Sequence, residues 1–372
     1  MKEGYTALGE FIRQIDIRNT EGKEDNLLGV SVQKQFIPSI ANTVGTDFTK
    51  YKVVKKGQFT YIPDTSRRGD KIAIALLQDY EEGLVSNVYT VFEVIDEEKL
   101  LPEYLMLWFS RPEFDRYARF KSHGSVREIM DWDEMCKVEL PVPSIEKQRS
   151  IVKAYKAITD RIELKRRIND NLEAAMRALF EHFVVSNEAY DFDEAIDDKI
   201  DFINGLAMQN YRPEKDETPI PVIKIRELSQ GYCDENSEFC SNHIDKSHII
   251  QNGDLVFSWS GSLQASFWTS QTAGLNQHLF KVQSDEYPLW FVYEWVTFHL
   301  LNFQRIAENK GTTFGHIKRE DLHNAKIKSV GIDEINKLNN LFQPLLNTII
   351  ANSTELHSLM NYQRVLLARL SR

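Results

Sequence analysis

A stretch of about forty residues after Ser144 contains neither glycine nor proline, and it constrains the fold more than any other feature of the chain. Apolar residues recur along it at helical spacing, which predicts one amphipathic helix about 60 Å long. Ser144 is placed to cap its N-terminus. The predicted apolar seam consists of Ile151, Tyr155, Ile158, Ile162, Ile168, Leu172, Ala175, Leu179 and Phe183. A helix of this length needs a partner to bury that seam.

The C-terminal part of the chain supplies this partner, because it repeats the same pattern. Residues 333–370 contain no glycine and a single proline, Pro344. An offset of 187 places their apolar residues on those of the central helix, and it also relates the loops at 311–312 and 124–125. The sequence therefore predicts a tandem repeat, each half being a mixed globular unit followed by a long helix. Two such helices most simply pair as a coiled coil.

This repeat predicts an α+β fold class, with two mixed α/β domains separated by two long antiparallel helices in a pseudo-twofold arrangement. The length of 372 residues allows two or three domains with cores of their own. The predicted boundaries are 1–142 for the first globular unit, 143–186 for the central helix, 187–330 for the second globular unit and 331–372 for the C-terminal helix.

Short apolar runs predict the elements inside the globular units. In the first unit the predicted strands are 52–54, 58–62 and 88–94, and the predicted helices are 101–109 and 112–120. In the second unit the predicted strands are 221–225, 254–258 and 275–282, and residues 228–231 are predicted to form a turn.

The net charge of −10 argues against indiscriminate binding to nucleic acid, although a local basic patch counts for more than the total. The start of the chain is charged, and no apolar run approaches the length of a membrane span, so we expect a cytoplasmic protein. Its three cysteines form no CxxC pair. The spacing of Cys233, Cys240 and His243 matches no zinc pattern, and no metal site is predicted.

Two polar loops of the first unit, residues 63–71 and 121–128, combine cations with small hydrogen-bonding residues. Arginine suits bidentate recognition of guanine, whereas hydroxyls and backbone amides suit phosphate. A solvated turn is the alternative for each loop. The candidate DNA-binding residues of this unit are Arg67, Arg68, Lys71, His123, Ser125 and Arg127.

Two loops of the second unit, at residues 258–262 and 311–319, and the predicted strand at 275–282 repeat the plan of the first unit with different side chains. Asparagine and glutamine read adenine bidentately, and Asn276 and Gln277 are adjacent. The equally weighted alternative is that this pair caps a strand. The candidate DNA-binding residues of this unit are Ser260, Ser262, Asn276, Gln277, His278, Thr312, Thr313, His316 and Lys318.

Several segments resemble the DNA-specificity subunit of type I restriction–modification systems, and the resemblance extends over essentially the whole chain. The segments are LPVPSIEKQRSIV at 140–152, LFEHFVV at 179–185, INGLAMQNYRPE at 203–214, IPVIKIRELSQG at 220–231, NGDLVFSWSGS at 252–262 and GLNQHLFKV at 274–282. The second repeat departs from the pattern at 328–335, where KSVGIDEI replaces PVPSIEKQ.

The resemblance implies a non-catalytic subunit in which each globular unit is a target-recognition domain for one half of a bipartite double-stranded DNA target. It further implies that the helix pair sets the gap and docks two methyltransferase subunits, and through them restriction and translocase subunits. The chain itself is expected to bind no cofactor, and S-adenosylmethionine is expected on the methyltransferase. A free-standing DNA-binding or anti-restriction protein on the same scaffold is the alternative.

An enzyme is the least favoured class. The chain contains no phosphate-binding loop of the Gly-x-x-x-x-Gly-Lys-Ser/Thr type and no Asn-Pro-Pro-aromatic stretch. A nuclease-like set can be assembled from Asp64, Glu97 and Lys99, but residues 96–99 form a charged run that is typical of a solvated loop. No catalytic residue is therefore predicted.

Overall fold

The computed structural model describes residues 4–40, 43, 45–65, 69, 71–122, 128–309 and 315–370. The chain divides into two compact units, one comprising Met1–Asp160 with Tyr362–Arg372 and the other comprising Arg161–Asn361. Both units mix strands with helices, and both long helices contribute residues to each unit. None of the helices in the described part of the chain combines the length and the apolar character that a membrane crossing requires.

The first unit is built around a four-stranded antiparallel sheet with the order β2-β9-β6-β7. The unit also contains the smaller antiparallel pairs β1-β10, β3-β4 and β5-β8. The strands are β1 Tyr5–Ala7, β2 Ile12–Ile15, β3 Leu28–Val30, β4 Phe36–Pro38, β5 Lys52–Lys55, β6 Phe59–Tyr61, β7 Ile74–Leu76, β8 Glu82–Val85, β9 Thr90–Val94 and β10 Glu139–Pro141. The helices are α1 Pro102–Phe109, α2 Pro112–Lys121 and α3 Trp132–Cys136, with 3-10 turns at Leu8–Glu10 and Phe48–Lys50.

The second unit contains two four-stranded sheets, with the orders β12-β19-β16-β17 and β14-β13-β18-β15, and the pair β11-β20. Its strands are β11 Phe192–Ala195, β12 Asp201–Asn204, β13 Ile220–Ile223, β14 Phe239–Cys240, β15 Ile249–Ile250, β16 Leu255–Ser258, β17 Ala265–Phe267, β18 Ala273–Leu275, β19 Leu279–Gln283 and β20 Lys326–Lys328. The remaining helices of the chain are α4 Ile145–Phe180, α5 Ile196–Lys199, α6 Ile225–Gln230, α7 Leu289–Asn309, α8 Arg319–His323 and α9 Ile332–Arg369, with a π-helical turn at Glu181–Val185 and 3-10 turns at Met208–Asn210 and Lys246–His248.

The predicted tandem repeat is confirmed by the topology of the two units. The sheet β2-β9-β6-β7 has the same strand order as β12-β19-β16-β17, with β2 corresponding to β12 and β9 to β19. The strands β6 and β16 are preceded by Gly57 and Gly253, whose φ angles of 84° and 94° are both in the left-handed region that glycine tolerates best. The α+β fold class is therefore confirmed.

The cores of the two units explain why the apolar residues of the long helices are spaced as they are. In the first unit the rings of Phe59 and Phe92 stack at 4.8 Å, and the same cluster includes Leu370, the residue after α9, with Leu367 of α9 packed against it. In the second unit Trp290 of α7 stacks on Phe342 of α9 at 4.2 Å. Each unit therefore buries the part of α9 that belongs to it.

The helices α4 and α9 pack in antiparallel order. Arg161 forms an ion pair with Glu355, and Asn169 donates a hydrogen bond to the carbonyl oxygen of Ile349. A later residue of α4 thus contacts an earlier residue of α9, so the two helices run in opposite directions. The side-chain oxygen of Ser144 accepts from the backbone N–H of Lys147 at 3.4 Å, which confirms the predicted N-cap of α4. The predicted pairing of the two long helices is confirmed.

The buried face of α4 differs in phase from the predicted seam. Ile168 is 36% exposed and Ala175 is exposed, whereas Asn169 and Met176 are buried. Steps of seven residues connect Ile162 to these two buried positions, and seven residues return to the same helix face. The assignment of Ile168 and Ala175 to the seam is wrong because a buried asparagine, and not an isoleucine, continues the face.

The predicted turn at 228–231 is also wrong. Residues up to Gln230 belong to α6, whose start is held by the backbone N–H of Lys224 donating to the Glu227 carboxylate at 3.1 Å. Gly231, at a φ of 83°, ends the helix in the left-handed conformation. Gly231 is therefore the C-terminal cap of a short helix and not a residue of an isolated turn.

Candidate nucleic-acid interface

Two loops that are far apart in sequence meet in the second unit. Ser260 and His316 form an isolated antiparallel bridge. The N–H of Gly261 donates to the carbonyl oxygen of Gly315 at 2.8 Å, and the N–H of Ile317 donates to that of Trp259 at 3.0 Å. Backbone hydrogen bonds thus hold the predicted loop at 258–262 beside residues 315–317 of the predicted loop at 311–319.

His278 from the turn between β18 and β19 completes this cluster. Its Nδ1 lies 3.1 Å from the Ser260 hydroxyl oxygen, and its carbonyl oxygen accepts from the N–H of Trp259 at 3.4 Å. A cavity of about 490 Å³ opens here, with walls formed by Ile225, Trp259, Ser260, Gly261, His278 and His316. Two imidazoles and a hydroxyl therefore converge on one concavity, whose other walls are indole and aliphatic groups.

Asn276 and Gln277 occupy different environments within the same turn. Asn276 is buried, and its side-chain oxygen accepts from the N–H of His278 at 3.2 Å. Its own N–H donates to the carbonyl oxygen of Ile223 at 3.1 Å. Gln277 and His278 are exposed. Asn276 therefore supports the turn, while the two residues after it present their side chains to the surroundings.

The remaining candidate residues of the second unit lie around this cluster or outside the described residues. Ser262 is exposed, and its carbonyl oxygen accepts from the Ser258 hydroxyl at 2.5 Å. Lys318 is exposed at the N-terminus of α8, where its N–H donates to the Asp321 carboxylate at 2.6 Å. Thr312 and Thr313 lie outside the residues that the structure describes. Trp259 and Ile225 were not predicted, because nothing in their local sequence distinguishes them from core residues.

The first unit brings together the equivalent pair of loops. Asp64 and Ile129 form an isolated antiparallel bridge, and the internal offsets of 196 and 187 relate this pair to Ser260 and His316. The N–H of Thr65 donates to the carbonyl oxygen of Glu128 at 3.1 Å. The predicted loops at 63–71 and 121–128 are therefore neighbours at their described ends.

Both ends of the 63–71 loop are anchored on α2. The Thr65 hydroxyl donates to the hydroxyl oxygen of Ser122, the residue that ends α2, at 2.9 Å. At the other end, the N–H of Ile72 donates to the Asp115 carboxylate at 3.2 Å, and that carboxylate also binds the amine of Lys34 at 2.5 Å. Burial lowers the pKa of Lys34. Thr65 and Ser122 were missed because a buried hydroxyl pair has no signature in the sequence.

Most of the six candidate residues of the first unit lie outside the described residues. Lys71 is described and exposed. The other five are Arg67, Arg68, His123, Ser125 and Arg127, and they lie outside the part of the chain that the structure describes. Their proposed role is therefore inferred from the sequence and from the position of the anchored loop ends.

Comparison with known proteins shows which proteins this chain resembles. The family model of the type I restriction modification DNA specificity domain matches residues 14–174. The chain is 24% identical over 305 residues to the MjaIX type I restriction enzyme specificity subunit of Methanocaldococcus jannaschii, a match that covers 74% of this chain and 70% of the relative. Residues 14–174 thus match the DNA specificity domain of type I restriction–modification systems, and the chain is similar over most of its length to a specificity subunit of such a system.

Further comparisons agree in sequence and in fold. The HindI specificity subunit of Haemophilus influenzae is 28% identical over 194 residues, which is 50% of this chain and 40% of that relative. The crystal structure of a type I S subunit from M. genitalium matches with a TM-score of 0.58 at 12% identity, over 99% of this chain and 96% of that chain. The structural match shows that this chain and the M. genitalium S subunit share a fold.

The nuclease-like candidates lie in two different parts of the first unit. Lys99 is exposed and pairs with Asp96 at 3.3 Å, and Glu97 is exposed in the same loop after β9. Asp64 lies at the bridge to Ile129. The charged run is thus a solvated loop, as its composition predicts.

The environment of the cysteines disfavours thiolate ligands. Burial raises the pKa of the Cys233 thiol to about 12 and that of the Cys240 thiol to about 11. A zinc ligand must be deprotonated. His243 is exposed, and its Nε2 lies 3.7 Å from the Glu217 carboxylate. The chemistry of these side chains therefore gives no support to a zinc site at Cys233, Cys240 and His243.

Proposed function

We propose that each globular unit reads one half of a bipartite, gapped DNA target. The observation that carries this proposal is the recurrence of one loop pair in both units, at Asp64–Ile129 and at Ser260–His316. The backbone arrangement repeats, while the side chains presented by the loops differ. Two copies of one scaffold with different surfaces suit two different half-sites, because base contacts carry the sequence information.

The second half-site is read, in this proposal, by the cluster of His278, Gln277 and His316, together with Ser260, Ser262, Thr312, Thr313 and Lys318, on a turn that Asn276 supports. The imidazoles and the glutamine amide can donate to and accept from base edges. The first half-site is read by Arg67, Arg68, Lys71 and Arg127, with His123 and Ser125. Arginine pairs bidentately with guanine, so the two units are expected to prefer different bases.

The helices α4 and α9 set the length of the unspecified gap in this proposal. A helix of 36 residues, such as α4, extends over about 54 Å. Half-sites on one face of a duplex lie about 34–36 Å apart, or at multiples of that distance. A pair of helices of this length is therefore long enough to span such a spacing.

The helix pair is also proposed to dock two methyltransferase subunits, which bind S-adenosylmethionine, and through them restriction subunits. The chain then contributes recognition and no catalysis. Gln148 lies in the first turn of α4 and is buried. Its side-chain oxygen accepts from the N–H of Leu101 at 2.9 Å, and its side-chain nitrogen donates to the carbonyl oxygen of Pro143 at 2.8 Å. Its counterpart in the second repeat is the buried Ile335. This glutamine therefore anchors the helix, and the docking surface has to use other residues.

The test is a map of methylated bases in cells that express the chain with its methyltransferase, compared with cells that lack only this chain. We expect a motif in two fixed parts around a gap of fixed length, present only with the chain. Replacing residues 1–142 with the equivalent region of another specificity subunit should change one part of the motif and leave the other. A motif in one continuous part, or a change in both parts, would contradict the proposal.

Copurification separates this proposal from the free-standing alternative. We expect the chain to form a stable assembly with the methyltransferase, and we expect specific DNA binding to require that assembly. Tight and specific DNA binding by the isolated chain, without any assembly, would instead support a free-standing DNA-binding or anti-restriction protein.

A further inference from the structure

A polar cluster interrupts the apolar contact between α4 and α9 within the second unit. It consists of Asn169 and Lys165 on α4 and of Asn352, Ser353 and Glu355 on α9, and it is called the asparagine layer below. Asn169 is 8% exposed and Asn352 is 5% exposed, so both amides are removed from water. Buried amides of this kind cost free energy unless they are hydrogen-bonded.

The asparagine layer satisfies these amides across the helix pair. The side-chain nitrogen of Asn352 donates to the side-chain oxygen of Asn169 at 2.9 Å. The nitrogen of Asn169 donates to the hydroxyl of Ser353 at 3.0 Å. The amine of Lys165 donates to the side-chain oxygen of Asn352 at 2.6 Å and pairs with Glu355 at 2.9 Å. Every one of these contacts joins α4 to α9.

These bonds are directional, and the contacts around them are not. Ile162 on α4 and Ile349 on α9 are buried next to the layer, and apolar packing of this type tolerates sliding between helices. A slide of α9 by one turn separates Asn352 from Asn169, and in one direction it brings Leu356 opposite Asn169. An amide would then be buried without a partner, which disfavours every other register.

We propose that the asparagine layer determines the length of the gap in the DNA target by fixing the register of α4 against α9. This rests on the proposed function, in which the helix pair sets the gap. Asn169 and Asn352 are positioning residues here: they contact neither DNA nor a reacting group. A polar residue at one position of a helix pair is known to select register at some cost in stability.

The experiment uses the full chain assembled with its methyltransferase and maps methylated motifs by gap length. The variant is Asn169→Leu with Asn352→Leu, which keeps side chains of similar size and removes the directional bonds. We expect the assembly to remain folded, and we expect methylation at sites whose gap differs from that of the wild type to rise at least 10-fold. The bases within each half-site should stay the same, since neither residue lies in the loops.

A matched control is Asn171→Leu with Asn361→Leu, which adds the same two side chains at exposed positions of the same helices. We expect this control to keep a single gap length. The variant Asn352→Ala is a second test, because it removes the two bonds of Asn352 and introduces a strong helix former. It should relax the gap in the same direction, by at least 3-fold, even if the leucine pair does not fold.

The possible outcomes separate the two proposals. If the wild-type assembly methylates no two-part motif, the proposed function fails. If the wild type has a fixed gap and both the leucine pair and Asn352→Ala keep that gap as strictly as the control, the asparagine layer does not set it and this inference is overturned. Relaxed half-site bases at an unchanged gap would overturn it as well.

Discussion

Gly205 offers the most direct test of how the candidate recognition turn is held. A Cβ atom at this position would lie closer than 3.0 Å to the carbonyl oxygens of both Asn276 and Leu275, a separation that real Cβ atoms essentially never show. The obstacle is backbone and cannot rotate away. The turn is also tied to this segment, because the N–H of Leu206 donates to Leu275 at 2.8 Å and that of Gln277 to Leu206 at 2.9 Å.

Gly205→Ala must therefore displace the 275–277 backbone or strain its hydrogen bonds. Overpacking of this kind costs about 1–3 kcal/mol. The second unit has about 200 residues, a size at which 1 kcal/mol lowers Tm by about 2–4 °C. We expect the unfolding transition of this unit to fall by about 2–12 °C in differential scanning calorimetry. The control Gly331→Ala places its Cβ where no atom lies within 4 Å, and it should leave Tm within about 2 °C of the wild type.

The same variant tests the proposed reading of the second half-site. A displaced 276–278 turn moves His278 and Gln277, so the assembly should lose discrimination at the second half-site and keep it at the first. Competition binding with duplexes altered in one half at a time measures this. An unchanged Tm would refute the steric argument. A lowered Tm with full discrimination at both halves would refute the assignment of this turn to DNA.

Three further predictions follow from other parts of the molecule. A four-residue insertion beside Lys165 adds about one helical turn, so the mapped gap should change while both half-sites stay the same; altered half-site bases at a constant gap would contradict this. Ser260→Ala removes the 3.1 Å contact with His278 and should weaken binding of the assembly to its target about 5- to 100-fold by fluorescence anisotropy, and equal affinity would exclude a role for this contact. Burial raises the pKa of Glu294 from 4.5 to about 8, so wild-type stability should fall as pH rises from about 5 through 8, because the unfolded carboxyl ionises first. Glu294→Gln should therefore raise Tm at pH 8.5 relative to the wild type but not at pH 5, and parallel Tm–pH curves would refute the burial argument.

Features that depend on local sequence were predicted well. The helices α1 and α2 and the strands β9 and β16 lie within a few residues of their predicted bounds, since alternation, helical period and proline starts act over a few neighbouring residues. The start of α4 was readable from Ser144 for the same reason. The repeat was readable because the two halves preserve their spacing through most of their length. Together these features and the quoted segments were sufficient for the family resemblance, which the comparisons confirm.

The sequence also predicts which loops are functional, but it predicts the roles of the residues within them only in part. Polar loops between apolar runs were predicted as the functional regions, and the structure brings each predicted pair together at its described ends. The roles within them depend on burial: Asn276 supports the turn while Gln277 beside it is exposed. The side chains of Asn276 and Gln277 both end in an amide, so the sequence does not distinguish their roles and only their surroundings in the fold do.

Local periodicity and helix capping specify the long helices, and the matching spacing of the two halves specifies the repeat, so these features follow from the sequence. The buried face of α4 depends on tertiary packing, because Asn169 continues the seam that hydrophobicity assigns to Ile168. Tertiary packing also brings Thr65 to Ser122 and Ser260 to His278. These contacts join residues far apart in the chain, and a buried polar group becomes favourable only when its distant partner is in place.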